Sequence, residues 1–130
     1  MLPKDIGAIV AYTCVGKDSV CIDAGTGSGW LTISLARIAK EVYSYDVRED
    51  FIEIGKKNAE ILGLNNIVFR KEDITKKIYE KEVDLVTLDM PNPEKALKNV
   101  KKALKIGGYV ACFLPHAEQV NKYVKKLNKL

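Results

Sequence analysis

Three glycines in five residues, Gly25, Gly27 and Gly29, stand between a short apolar run, Val20-Cys21-Ile22, and a stretch of helical apolar periodicity that starts near residue 29. Glycine supplies the positive φ that a tight turn needs and lets another group come close to the backbone. The junction therefore reads as strand, glycine turn and helix. The same alternation runs through the whole chain. Apolar spacing predicts helices over 3–13, 29–39, 49–62, 94–105 and 117–128, with strands at 20–23, 42–46, 67–70, 83–88 and 109–114. Gly63 is a natural C-terminal cap, and Gly107-Gly108 reads as the turn after the fourth main helix. Strands that alternate with helices predict an α/β fold, a mostly parallel, doubly wound sheet of about five strands covered by helices on both faces. At 130 residues the chain is expected to form a single domain.

Hydrophobic residues make up 47% of the chain, which is enough to bury a core and excludes a disordered segment. No apolar run approaches the ~18 residues of a membrane span, and no secretory leader pattern follows Met1. These features lead us to expect a cytoplasmic protein without membrane contact. Cys14, Cys21 and Cys112 are odd in number and lack CxxC spacing, so they read as small buried side chains. With His116 as the sole histidine, no metal site is expected. The net charge is +4, and nine lysines fall between Lys95 and Leu130. That excess is either a polyanion-binding surface or a pair of solvated helix faces.

In an open parallel sheet, ligands bind beyond the carboxyl ends of the strands. Attention therefore goes to the loops after Asp23, Asp46, Arg70, Leu88 and Leu114. The first reads Asp23-Ala24-Gly25-Thr26-Gly27-Ser28-Gly29. A pyrophosphate-binding fingerprint would be G-x-G-x-x-G, but here the third glycine comes one position early and Trp30 takes its place. The loop suits S-adenosylmethionine (SAM) better: Asp23 faces its ammonium group and backbone N–H groups meet its carboxylate. Asp46, at the end of the second strand and 21 residues after Gly25, can accept two bonds from vicinal ribose hydroxyls. After the third strand, Glu72-Asp73-Ile74 offers an acid for an adenine amino group and an apolar wall for its ring. After the fourth strand, Asp89-Met90-Pro91-Asn92-Pro93 holds a carboxylate on a backbone stiffened by two prolines, which suits the positioning of a planar acceptor. Trp30, Tyr43 and Tyr45 read as packing residues, and His116 is left outside the site.

Taken in order, Pro3-Lys4-Asp5, the glycine loop, Asp89-Met90-Pro91-Asn92-Pro93, Leu104-Lys105-Ile106-Gly107-Gly108 and Pro115 with Gln119-Val120 resemble the tRNA adenine-N1 methyltransferases that modify the T-loop, the TrmI family. The resemblance spans almost the whole chain. It implies a Rossmann-like class I SAM-dependent methyltransferase core with SAM as cofactor and tRNA as substrate. By position, Gly27, Ser28 and Gly29 match the SAM-binding turn, Asp46 the ribose-binding acid, Asp73 the adenine-side acid, Phe51 a further contact, and Asp89 the acid at the methyl-transfer centre. Two departures stand out. Asp23 replaces the usual glutamate, and Glu94 follows Pro93 where tryptophan is common. The family's β-rich N-terminal domain and last strands have no counterpart in this sequence, so the chain corresponds to the central part of a family member. Tyr109 to Leu114 is then expected at a sheet edge, where it would pair with another copy in a homo-oligomer. Transfer to a small molecule or protein, and a non-catalytic tRNA-binding subunit, remain alternatives.

Overall fold

The N-terminus shows how local chemistry starts an element. Pro3 sits at the first turn of α1 (Pro3–Thr13), where its missing N–H is no loss. The Asp5 carboxylate accepts the Leu2 N–H at 2.8 Å. The computed structural model describes residues 1–130. After α1 come β1 (Val20–Ala24), α2 (Trp30–Ala36), β2 (Glu41–Asp46), α3 (Glu49–Ile61), β3 (Ile67–Lys71), β4 (Val83–Leu88), a 3-10 turn (Pro93–Lys95), α4 (Leu97–Ala103), β5 (Leu104–Cys112) and α5 (Ala117–Leu127).

The five strands form one sheet in the order β3-β2-β1-β4-β5, and every neighbouring pair is parallel. Strand order reverses between β1 and β4, which places a crevice beyond the ends of those two strands. Successive strand residues point to opposite faces, so the sheet carries a core on each side. Cys21, Val42 and Leu85 pack with Ile6, Leu31 and Leu35 of α1 and α2. Ile22, Val86 and Leu88 pack with Leu97, Val100 and Tyr123 of α4 and α5. This is a Rossmann-like, doubly wound α/β fold. No helix is long and apolar enough to cross a membrane.

Several local expectations are corrected. Helix α2 ends at Ala36, three residues early, although Ala39 stays buried in the turn that follows. The helix expected over 94–105 is a 3-10 turn followed by α4, because Pro91 and Pro93 tighten the entry. Strand β5 begins at Leu104, so Gly107-Gly108 lies inside it. Val83 pairs with Leu104 and Leu85 with Tyr109, so five steps along β5 oppose two along β4. The bulge requires Gly107 at φ +82°, and a Cβ on Gly108 would meet the Val83 carbonyl at 3.1 Å. Cys14 is exposed, since it caps α1 in the left-handed conformation, whereas Cys21 is buried and Cys112 partly so. Trp30 is half exposed at the start of α2, while Tyr45 is buried as expected.

Candidate active site

The glycine loop leaves β1 with the Gly25 and Thr26 N–H groups donating to the Tyr45 carbonyl at 2.9 and 3.3 Å. Gly25, Gly27 and Gly29 all have positive φ, at +96°, +51° and +85°. Gly25 has a second constraint: a Cβ there would lie 1.9 Å from the Asp89 carbonyl oxygen. The loop after β4 is thus seated directly on the glycine loop, and the Asp89 N–H donates to the Ala24 carbonyl at 2.9 Å. The topological switch point is the place where these two loops meet.

Beneath the loop lies a buried polar network. Asp23 is 1% exposed and accepts hydrogen bonds from Thr87 at 2.7 Å and Thr32 at 2.6 Å. The Thr32 hydroxyl is 2.8 Å from that of Ser44, which is 2.7 Å from that of Thr26. Burial pushes the Asp23 carboxyl up to about 6, against the lowering effect of the two threonines. The expectation that Asp23 meets a ligand ammonium is therefore corrected, because its carboxylate is turned into the protein and braces the loop from below. Thr26 is buried in the same network. Gly29 and Thr26 press on Gly55 of α3, where a Cβ would lie 2.8 Å from the Phe69 ring and 3.0 Å from the Thr26 methyl. Ser28 is exposed, and its carbonyl accepts a bond from Asn58 at 2.9 Å.

Above the loop opens a cavity of about 570 Å³, the size of a cofactor site. Of the expected residues, Gly25, Gly27, Asp46, Phe51, Asp73, Ile74 and Asp89 line it, while Asp23, Thr26, Ser28 and Gly29 do not. Asp46 accepts the Gly27 N–H on Oδ2 at 3.3 Å and the Arg48 N–H on Oδ1 at 2.9 Å. A carboxylate has about four acceptor positions, so each oxygen keeps capacity for a ligand hydroxyl. Asp73 uses Oδ1 for the Thr75 hydroxyl and N–H, at 2.7 and 2.9 Å. Those bonds, led by the hydroxyl, hold its carboxyl below the usual range. Its Oδ2 keeps no protein partner. Asp89 is half-buried on the cavity wall, and its carboxylate has neither an ion pair nor a protein hydrogen bond.

Sequence reading missed Val47, Arg48, Asn92 and Lys95, which also line the cavity. The Arg48 guanidinium stacks 3.9 Å from the Phe51 ring centroid and pairs with Asp50 at 2.6 Å. Asn92, between the two prolines, takes φ +52°. Gly55 was missed as well, although a glycine inside a helix carries a cost of ~1 kcal/mol and so signals a packing need. Burial pushes the thiols of Cys21 and Cys112 up to about 12, so neither serves as a thiolate nucleophile. Open acceptor positions at Asp46 and Asp73 and an apolar wall at Ile74 fit a nucleoside. That acceptor set suits the ribose hydroxyls and adenine amino group of SAM.

The chain is 35% identical to a tRNA (adenine(57)-N(1)/adenine(58)-N(1))-methyltransferase of Methanocaldococcus jannaschii, over 99% of this chain and 56% of that protein. A solved SAM-dependent O-methyltransferase from Thermotoga maritima superposes with a TM-score of 0.96 at 34% identity, covering 100% of this chain and 51% of that one. A tRNA (m1A58) methyltransferase from Aquifex aeolicus superposes at 0.92 with 28% identity, over 99% and 53% of the two chains. The chain spans about half the length of these relatives. A profile described as "Methyltransferase domain" matches residues 16–130, from the turn before β1 to the last residue. By that match, and by a glycine turn and acidic strand ends that meet at the switch point, the chain belongs to the methyltransferase-domain family.

Proposed function

We propose that this chain is the catalytic core of a SAM-dependent methyltransferase acting on N1 of an adenine in the tRNA T-loop. The observation that carries the reading is the Asp89 carboxylate, which has no protein partner and lines the same cavity as Asp46 and Asp73. The names of the relatives from M. jannaschii and A. aeolicus support the choice of acceptor. Bound in this cavity, SAM supplies a methyl group on a cationic sulfur. Asp46 holds the ribose hydroxyls, the open Oδ2 of Asp73 accepts the cofactor's adenine amino group, and Ile74 packs on its ring.

The acceptor base has an in-plane lone pair on N1, so no residue has to remove a proton before the methyl group is accepted. The base becomes cationic as the bond forms. Asp89 orients its exocyclic amino group and stabilises the developing charge, an electrostatic role in a half-buried site. Two prolines and the contact with Gly25 fix the backbone that carries that carboxylate, so its position is prepared before the base arrives. The base must leave the tRNA stack to reach the cavity.

The test is methyl transfer to unmodified tRNA, with N1-methyladenine identified by mass spectrometry. Asp89→Ala is expected to lower turnover by about 100-fold or more, the scale seen when one electrostatic stabiliser is removed, and to leave SAM binding in place. Near-normal transfer by that variant overturns the assignment. A second reading has one specific observation behind it, since the T. maritima neighbour is described as an O-methyltransferase. Transfer to hydroxyl acceptors but not to tRNA would select it. Strand β5 is unpaired on one side, and we extend the proposal to a homo-oligomer that pairs this edge. Light scattering that gives a monomer at high concentration refutes the extension.

A further inference from the structure

Six of the nine lysines between Lys95 and Leu130 line one groove of the molecule. The 3-10 turn and α4 bring Lys95 and Lys98 opposite Lys122, Lys125 and Lys126 of α5 and Lys129 just beyond its end, and a groove of about 560 Å³ lies between them. The lysines recur at helical spacing on one face of α5, and all six are exposed. Glu94 is the sole acidic residue in the lining, and it is paired with Lys122 at 2.8 Å. None of the other five lysines has an ion pair. Six lysines against one glutamate give the groove more positive charge than the whole chain, whose net is +4. A pair of ordinary solvated faces would carry interspersed carboxylates, as α3 does with Glu49, Asp50, Glu53 and Glu60. No hydrophobic residue lines the groove, so it offers neither a stacking platform for bases nor an apolar stripe for a lipid surface.

Lys95 lines both this groove and the cavity that holds Asp89. The groove thus adjoins the candidate active site at Lys95, next to the stiff Pro91-Asn92-Pro93 segment. We infer that the lysine groove binds the sugar-phosphate backbone of RNA next to the acceptor nucleotide and leads that nucleotide to the cavity. The partner class rests on the function proposed above. Lysine point charges grip phosphates without reading bases, so this surface positions the strand and leaves base choice to the cavity. Each neutralised phosphate releases counterions, so binding weakens steeply with salt.

The experiment uses the full chain and a fluorescently labelled, unmodified tRNA. Affinity is measured from about 50 to about 200 mM salt for wild type and for a Lys98→Gln, Lys125→Gln, Lys126→Gln, Lys129→Gln variant. These four residues lie outside the cavity. The expected result is a loss of at least about tenfold in RNA affinity near 0.1 M salt. The slope of log K against log salt should become shallower by about three, at ~0.7–0.9 for each phosphate that the variant leaves unneutralised. Calorimetric SAM binding should be unchanged, which shows that the variant is folded. Equal RNA affinity and equal salt slope in the two proteins overturn the inference, and so does a variant that loses binding to phosphatidylserine–phosphatidylcholine vesicles while keeping its hold on RNA. The two proposals fail separately. Groove-dependent RNA binding without methyl transfer to adenine sinks the proposed reaction alone. Transfer at undiminished kcat/KM by the variant sinks the groove alone.

Discussion

Replacing Asp23 by asparagine removes a charge from the interior while keeping the shape of the side chain. The wild-type carboxyl titrates near 6 in the folded chain, against 3.8 for an ordinary aspartate, and burial is the leading cause. A group whose folded value is raised binds its proton more tightly in the native state. Its stabilising effect is complete below about pH 3.8 and is lost as pH rises through about 6. At about 1.4 kcal/mol for each tenfold change in proton affinity, the ionised folded state is disfavoured by about 3 kcal/mol at neutral pH. Asparagine feels no such loss. It can still accept from one threonine, and its amide can donate to the other hydroxyl, at an orientation cost that does not vary with pH. The remaining carboxylates, including Asp73 and Asp84 with lowered values, are common to both proteins and cancel in the difference. Urea unfolding of both proteins across pH 4 to 7.5, with pH the only variable, reads the effect directly. Asp23→Asn should gain about 2.4 kcal/mol on wild type across that range, with most of the change below pH 6 to 7. A stability difference that stays flat with pH refutes the reasoning. A change of opposite sign would show that the two threonine bonds outweigh burial and that Asp23 is held as a carboxylate.

Other perturbations test the geometry above and below the glycine loop. Gly25→Ala places a methyl where the Asp89 carbonyl stands, 1.9 Å away, at φ +96°. Loop separation plus the backbone strain of ~1–3 kcal/mol should lower stability in urea melts and abolish SAM binding by calorimetry; unchanged binding would break the proposed seating of the two loops. Asp46→Ala removes the acceptor positions that remain free beside the Gly27 and Arg48 N–H bonds. Two charge-assisted bonds at ~1.5–3 kcal/mol each should weaken SAM by about 100-fold or more, and a loss of less than tenfold would exclude Asp46 from the ribose role. Tyr45→Phe deprives the Tyr79 N–H of its acceptor at 3.2 Å and leaves Glu80 with Arg70 as its remaining donor. Stability should fall by ~1–3 kcal/mol with the fold retained by circular dichroism, and a neutral result would mean that water replaces the hydroxyl.

Features that depend on neighbours along the chain were readable from residue order alone. Apolar periodicity marked each strand and nearly every helix, because burial of a face imposes a period of two or of 3.6 wherever the face lies. Gly25, Gly27 and Gly29 announced the turn, since all three adopt positive φ. Asp46, Asp73 and Asp89 were legible because each stands at the end of a parallel strand, and parallel strands put their carboxyl ends on one side. Tertiary structure decided what those residues touch. Asp23 has the composition of a ligand-binding acid, yet Thr32 and Thr87, from α2 and β4, turn it inward. Gly55 and Gly108 are required by backbone and rings far along the chain or across the sheet. Lys95 joins the cavity to the lysine groove only because the 3-10 turn is packed beside α5. Local patterns record how a segment meets a solvent or a core, whereas distances across the sheet follow from strand register and loop packing, which no short window of sequence contains.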